Sequence, residues 1–485
     1  MTHTPFFPAW RARLAPCGSR TAQTFHAVCA YTLAQLEQRF GACLPTSLFP
    51  KALEDQNSRD NVYTRWRTFW CMLWQSLNPD ASGREVVRQL QALFRLQDGP
   101  RISEEDAAYC RARKRLPLPE FASALEATAQ AADAAAPSPG FLRGRRVRVI
   151  DGSTVTLPDT PENRRLYPPI GNLALTFPML RFVVLFSLVS GAILHVAYAN
   201  LYTSELALFG QLLGQLALGD ILIGDRGFGS YVVLALLQDL QVGFIGRTTH
   251  HIDGRRRLRR LGKNDWLMLW QRPAKRSSWL SPARWLSLPK HLEVRVVRGA
   301  CSHKGFRVRQ VTVVTTLLDP QLYPPEQILQ AYLRRWRLEM CLDDLKTTLK
   351  MEMFRHRLPH TVAQELYVRL IAHNLVRYTM AQAATEHDVP LERISFKGTL
   401  DALRQFTQAM SQARSQKKRR ELWAELLRTL SADLVPERPG RREPRAVKRK
   451  KNKYPRLRAP RHKIKDRPKR HTRRTRARLR RLGLM

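Results

Sequence analysis

Three places in this 485-residue chain hold carboxylates in settings that could serve chemistry. Asp151 follows the apolar run VRVI, and Asp225 follows ILIG. An aspartate at the end of a buried strand stands where a sheet opens into a crevice. Taken alone, each equally suits an ordinary turn, where aspartate is common. The third place is YLRRWRLEMCLDDLK, residues 332–346, which mixes three arginines and a lysine with three carboxylates. At about 100° per residue, Tyr332, Arg335, Glu339 and Lys346 fall within an arc of roughly 60° on a helix. Leu338, Leu342, Leu345 and Leu349 form the adjoining apolar stripe. The four polar residues therefore border the buried face, where a side chain can reach a sheltered site. Asp344 points away, and a surface ion pair with Arg337 is its expected role; Arg334 also faces elsewhere. Asp343 lies near enough to the arc that geometry leaves it open.

The elements that must position these residues can be read from the patterning. The first 140 residues read as helical. Val62, Trp66, Phe69, Trp70, Leu73 and Leu77 recur at helical spacing, and Ser82 with Glu85 forms a capping box. Ser103 and Asp106 open a further helix carrying Arg111, Arg113, Lys114 and Arg115. Two such short helices suit DNA reading, or simply a solvated basic face. The alanine-rich stretch 127–140 is expected to be a linker or a domain boundary.

Strand character begins with RVRVIDGSTVTLP, residues 146–158, read as a strand entering a turn. Residues 182–199 are apolar enough to suggest a membrane span. Their β-branched and aromatic content, His195 and the Ser190-Gly191 break predict two buried strands instead. A helix from 204, a strand ending at DRGFGS, the helix YVVLALLQDL and the strand VGFIGRTT follow. Residues 250–309 alternate and are arginine-rich, and are expected to form a small β-rich insertion outside the main sheet. Strand 310–319 and a long helix after Pro324-Pro325 resume the main pattern. The expected fold class is α/β, a mixed sheet flanked by helices. The expected parts are a helical DNA-binding region 1–140, a catalytic domain 141–249 and 310–357 around the insertion 250–309, a helical region 358–435 and a disordered tail 436–485.

The net charge is +42. Residues 438–485 hold 23 Lys and Arg against two acids, and residues 247–309 hold 17 against three, so most of the excess lies in these two segments. A charge of this size calls for a polyanionic partner, and nucleic acid is the first to expect. Seven cysteines with no CxxC pair argue against a zinc module or a disulfide framework. The opening residues have no apolar signal core, and a cytoplasmic, nucleoid-associated protein without a membrane segment is expected.

Tyr332-x2-Arg335-x3-Glu339-x6-Lys346 matches the Tyr-Arg-Glu-Lys signature of bacterial insertion-sequence transposases of the insertion sequence four type, whose catalytic domain is of the Asp-Asp-Glu (DDE) kind. VIDGSTVTLPDT and LIGDRGFGSY are similar to that family's two aspartate segments, and the likeness spans roughly residues 58 to 375. The resemblance implies an RNase H-like fold with Asp151, Asp225 and Glu339 as the catalytic, metal-binding triad, which selects Glu339 over Asp343. It further implies two Mg²⁺ or Mn²⁺ ions, hard cations that prefer oxygen ligands, and phosphate contacts from Tyr332, Arg335 and Lys346. Double-stranded DNA at transposon ends and targets, a homodimer in the synaptic complex, and cut-and-paste strand transfer are the implied partners and reaction. Trp266, Trp270, Trp279 and Trp285 are possible platforms for a flipped base or insertion core. The alternatives are a catalytically silent DNA-binding descendant and an RNase H-like nuclease that cleaves without joining.

The tail makes its own prediction. Neutralised phosphates release counterions, so tail-driven binding weakens steeply with salt. Deleting residues 438–485 is expected to flatten the salt dependence of DNA affinity in a filter-binding series; an unchanged slope would remove the tail from DNA binding.

Overall fold

The computed structural model describes residues 62–96, 101–137, 142–169, 176–250, 257–300, 310–413 and 415–436, with Gly140, Ile252 and scattered positions between 40 and 49. The basic tail therefore lies outside the described residues. The chain forms two compact units, 1–137 with 367–436, and 138–366 with 437–485.

The first unit is helical and draws on both ends of the sequence. Its helices are α1 (Arg65–Leu77), α2 (Gly83–Leu96), α3 (Ala107–Lys114) and α4 (Leu118–Ala135). Thr64 caps α1, and Ser82 and Glu85 form the expected reciprocal capping pair at α2. Phe49, Phe69 and Phe121 stack at the centre beside Trp66 and Trp70. The stretch from Ala127 is mostly helix rather than linker, since α4 continues to Ala135 with Thr128, Ala129 and Ala132 buried, but the boundary between the two units does fall within it, after Pro137. Alanine is the strongest helix former and packs closely.

Later in the chain come α5 (Pro161–Leu166), α6 (Glu205–Leu212), α7 (Tyr231–Asp239), α8 (Pro282–Ser287) and α9 (Pro325–Asp343) of the second unit. Helix α10 (Pro359–Glu386) contributes its residues from Tyr367 onward to the helical unit, followed by α11 (Phe396–Gln412) and α12 (Gln416–Ala432). Buried Asn374 of α10 donates to the Leu125 carbonyl at 3.2 Å, and Arg404 of α11 donates through Nε to that of Leu77 at 2.8 Å. These bonds tie the C-terminal helices to the N-terminal ones.

The second unit is built on one nine-stranded mixed sheet, ordered β3-β2-β1-β4-β5-β9-β8-β7-β6. β1 (Val147–Thr156), β2 (Met179–Ser187) and β3 (Ile193–Asn200) form an antiparallel meander. The turn between β2 and β3 uses Gly191 at φ 70°, so the apolar stretch 182–199 is two strands. Among the described residues no helix is long and apolar enough to cross a membrane. β4 (Ile221–Gly224) and β5 (Gly243–Gly246) add parallel strands joined through α7. All eight of their residues are buried, as apolar parallel strands require. This meander followed by parallel strands, covered by helices, is the RNase H-like arrangement.

The segment 250–309 departs from expectation. Its strands β6 (Arg257–Gly262), β7 (Asp265–Gln271) and β8 (His291–Ala300) do not form a separate sheet. β8 pairs through Arg295–Ala300 with the whole of β9 (Gln310–Thr315), so the main sheet simply continues through them. The physical reason is β9: paired on one side with β5, it needs a partner on its other edge, and β8 supplies it.

Arg295 of β8 anchors this extension. Its side chain is fully buried and pairs with Asp265 of β7 through Nε (2.8 Å) and Nη2 (2.5 Å). Its Nη1 donates to the carbonyls of Leu317, Asp319 and Tyr323, at 3.2, 3.3 and 2.8 Å. The guanidinium thus fixes the loop that launches α9. Asp265→Ala would leave a buried charge without its partner, and should cost on the order of 3–5 kcal/mol in a denaturant titration. The paired replacement Asp265→Leu with Arg295→Met should cost clearly less.

Candidate active site

The backbone brings two carboxylates together before any side chain is considered. β1 and β4 run parallel with Val147 opposite Ile221 and Val149 opposite Ile223. Two residues further along the same register come Asp151, still in β1, and Asp225, just past the end of β4. β4 ends at Gly224, whereas β1 continues to Thr156. Asp151 is therefore a mid-strand residue, not the strand-end residue expected. The crevice opens beside it because its partner strand stops. Asp151 Oδ1 accepts from the amide of Gly152, and Asp225 Oδ1 from that of Gly227, each at 2.8 Å.

The loop after Asp225 is held by close backbone approach. A Cβ on Gly229 would stand 1.8 Å from the carbonyl oxygen of Arg247, so no other residue fits there. The Thr248 hydroxyl donates to the Gly229 carbonyl at 2.6 Å, and Arg226 Nε donates to the Thr248 carbonyl at 3.2 Å. These contacts bring Arg247, just past β5, beside the site.

Helix α9 crosses the sheet, contacting β1, β4, β5, β8 and β9. Tyr332 is buried, with 1% of its surface exposed, and Arg335 is 6% exposed. Glu339, one turn beyond Arg335, is exposed, and Arg335 Nη2 donates to its Oε1 at 2.7 Å. The guanidinium also bonds the Tyr332 hydroxyl and lies 5.5 Å from that ring's centre. Its Nε is buried without an acceptor among the described residues. Beyond Asp343 the helix widens into a π-turn over Asp344–Thr348, closed by the Leu349 amide on the Asp344 carbonyl at 3.0 Å. Lys346 sits in this turn, half-buried, so the α-helical count that placed it with Glu339 does not hold there. Asp343 is exposed.

One electrostatic field links these groups. Burial pushes the Asp151 carboxyl up to about 6; Asp225 and Glu339 push it further in that direction, while the Gly152 amide and Arg335 oppose them. Burial also raises the Tyr332 phenol, against the pull of Arg335 and Arg247. The structure thus couples Asp151, Asp225, Glu339, Arg335 and Tyr332. Arg247 is the member that sequence reasoning missed. It stands in an unremarkable strand-end GRT with no local signal, and only the fold brings it near. Of the tryptophans, Trp266, Trp270 and Trp285 are core residues, 4–7% exposed, and Trp279 alone is half-buried.

Comparison with known proteins bears on the same region of the chain. A transposase DDE domain model matches residues 142–375, which contain Asp151, Asp225 and the whole of α9. Over 400 residues the chain is 28% identical to the transposase InsG for insertion sequence element IS4 of Escherichia coli (strain K12), covering 80% of this chain and 85% of that one. Residues 142–375 thus resemble a transposase DDE domain, and the chain over most of its length resembles a transposase of the insertion sequence four type. A piggyBac transposase, solved as a synaptic complex with hairpin DNA, overlaps 86% of this chain and 85% of its own at 9% identity and a TM-score of 0.37, a slight likeness.

DDE transposases generally use divalent metal ions. Among the described residues of this transposase, no three His, Cys, Asp or Glu side chains stand close enough together to hold one. The donors nonetheless suit such an ion: hard carboxylate oxygens from β1, from the loop after β4 and from α9. One of these acids, Glu339, is bonded to Arg335.

The raised Asp151 carboxyl has a consequence for stability. Its folded value, about 6, lies above the ordinary 3.8, so the folded state binds more protons between these values. Stability therefore falls as pH rises through this window and stays lower above it. Asp151→Asn should stabilise the metal-free protein at pH 8 by on the order of 2–3 kcal/mol, and by little near pH 4. Thermal unfolding of both proteins in EDTA checks this; equal stability at pH 8 would contradict it.

Proposed function

We propose that this DNA transposase cuts and joins the ends of its insertion sequence with Asp151, Asp225 and Glu339 as the acids that hold Mg²⁺ or Mn²⁺, two ions per site. The observation that carries this reading is that Asp151 and Asp225 follow the β1–β4 register to corresponding positions, where burial raises the Asp151 carboxyl and Asp225 and Glu339 add to that effect. Bound between such carboxylates, divalent cations activate an attacking oxygen and stabilise the leaving oxygen in an in-line displacement at phosphorus.

The remaining roles fall to the chain's own groups. Arg335 offers a planar set of donors, one of them buried without an acceptor, to a phosphate oxygen. Arg247, beside the same site and exposed, is a second phosphate-binding group. Lys346 reaches phosphate from the π-turn as a point charge. Tyr332 is too deeply buried to meet a phosphate directly, and orients Arg335 instead. Half-buried Trp279 is the remaining platform for an unstacked base. The basic α3 of the helical unit and the tail hold double-stranded DNA, and two copies of the chain pair two ends. Cytoplasmic, nucleoid-associated work suits such a substrate.

The test is a plasmid carrying the element's two ends. Alanine at Asp151, Asp225 or Glu339 should each lower Mg²⁺-dependent strand cleavage by roughly 10³-fold or more, with end binding kept in a gel-shift assay. Joining of precut ends by the unmodified protein is expected; cleavage without joining would point to a nuclease. Full activity of any one alanine variant would remove that residue from the triad.

A further inference from the structure

The guanidinium of Arg335 stands where the charge of the site is most negative. It is bonded to Glu339 at 2.7 Å and lies within the field of Asp151. Both of its carboxylate neighbours belong to the acids assigned above to metal. Arg335 is itself buried, whereas the Glu339 side chain is 52% exposed. The carboxylate has come to the arginine, at the edge of the cleft, rather than the arginine to solvent. Glu339 is thus engaged by Arg335, and among the described residues no metal-binding group of three is assembled.

We infer that Arg335 is a built-in counter-cation that competes with the metal for Glu339, keeping the site unassembled until a divalent ion displaces it. The inference rests on the reading of Asp151, Asp225 and Glu339 as the metal-binding acids. Its physical logic is direct. Clustered carboxylates without a cation repel one another, and a fixed guanidinium relieves part of that repulsion. A divalent ion must then break a charge-assisted bond before it can use Glu339, which lowers its apparent affinity. The same exchange frees Arg335 Nη2, which joins the unsatisfied Nε in facing substrate phosphate. Metal loading and phosphate binding are thereby coupled through one side chain.

An arginine that merely positioned Glu339 for metal would act in the opposite direction. Its removal would loosen Glu339 and weaken metal binding, whereas removal of a competitor strengthens it. Mn²⁺ binding to the full chain without DNA, followed by the EPR signal of free Mn²⁺, separates the two. Arg335→Gln should bind Mn²⁺ roughly ten- to hundredfold more tightly than the unmodified protein, the worth of one charge-assisted hydrogen bond. Arg335→Met, which keeps the bulk of the buried stem, should do the same and serves if the Gln variant does not fold. Unchanged or weaker binding by the folded variants would overturn the inference. Glu339→Gln and Asp225→Asn provide the separate control: both should weaken Mn²⁺ binding. If both bind as well as the unmodified protein, the acids are not the metal ligands, and the reading on which the inference rests falls as well.

Discussion

The parallel pairing of β1 with β4 is the constraint on which the rest depends. Its register carries Asp151 and Asp225 to corresponding positions, Asp225 just past the end of β4. The early end of β4 then leaves those positions open on one side, which a longer strand would have closed. Everything else around the site adds to or answers these two charges. Helix α9 delivers a third acid, the Gly152 and Gly227 amides support the first two, and Arg335 supplies the nearest positive charge. A proposed active site assembled in this way works against the stability of its own unit, because burying Asp151 favours its neutral form. The fold tolerates this through the apolar packing of β4 and β5 and the buried stripe of α9.

The added strands serve the same purpose at a distance. β8 covers the free edge of β9, and Arg295 ties β7 to the three carbonyls that precede α9. An element expected to be an independent module is thus part of the scaffold that aims Glu339. Its tryptophans reflect that role, since three of the four are packed into the core.

Much of this was legible in the sequence, for identifiable reasons. Short apolar runs bounded by turns marked β1, β4 and β5, and the Ser82–Glu85 capping pair marked the start of α2. Helical periodicity put Arg335 and Glu339 on one face, as they are. The regular count does not extend to Lys346, because a π-turn changes the angle per residue there and nothing in DDLKTT announces it. The alanine-rich end of α4 misled because alanine suits both a helix and a linker, and packing decided between them. Strand pairing was the least legible feature. Which edge β8 would cover, and that Arg247 would lie beside Tyr332, are long-range outcomes without a local pattern. The sequence likewise placed Asp151 at a strand end because it could not reveal that β1 outlasts its neighbour.

The central claim is that Asp151, Asp225 and Glu339 form one metal-binding site. Anomalous diffraction from crystals of the full chain soaked in Mn²⁺ tests it most directly. The account predicts anomalous density between the Asp151 and Asp225 carboxylates, with Glu339 turned from Arg335 towards it. Saturating Mn²⁺ that leaves these carboxylates without a peak, or that places its peak on other residues, would contradict the account.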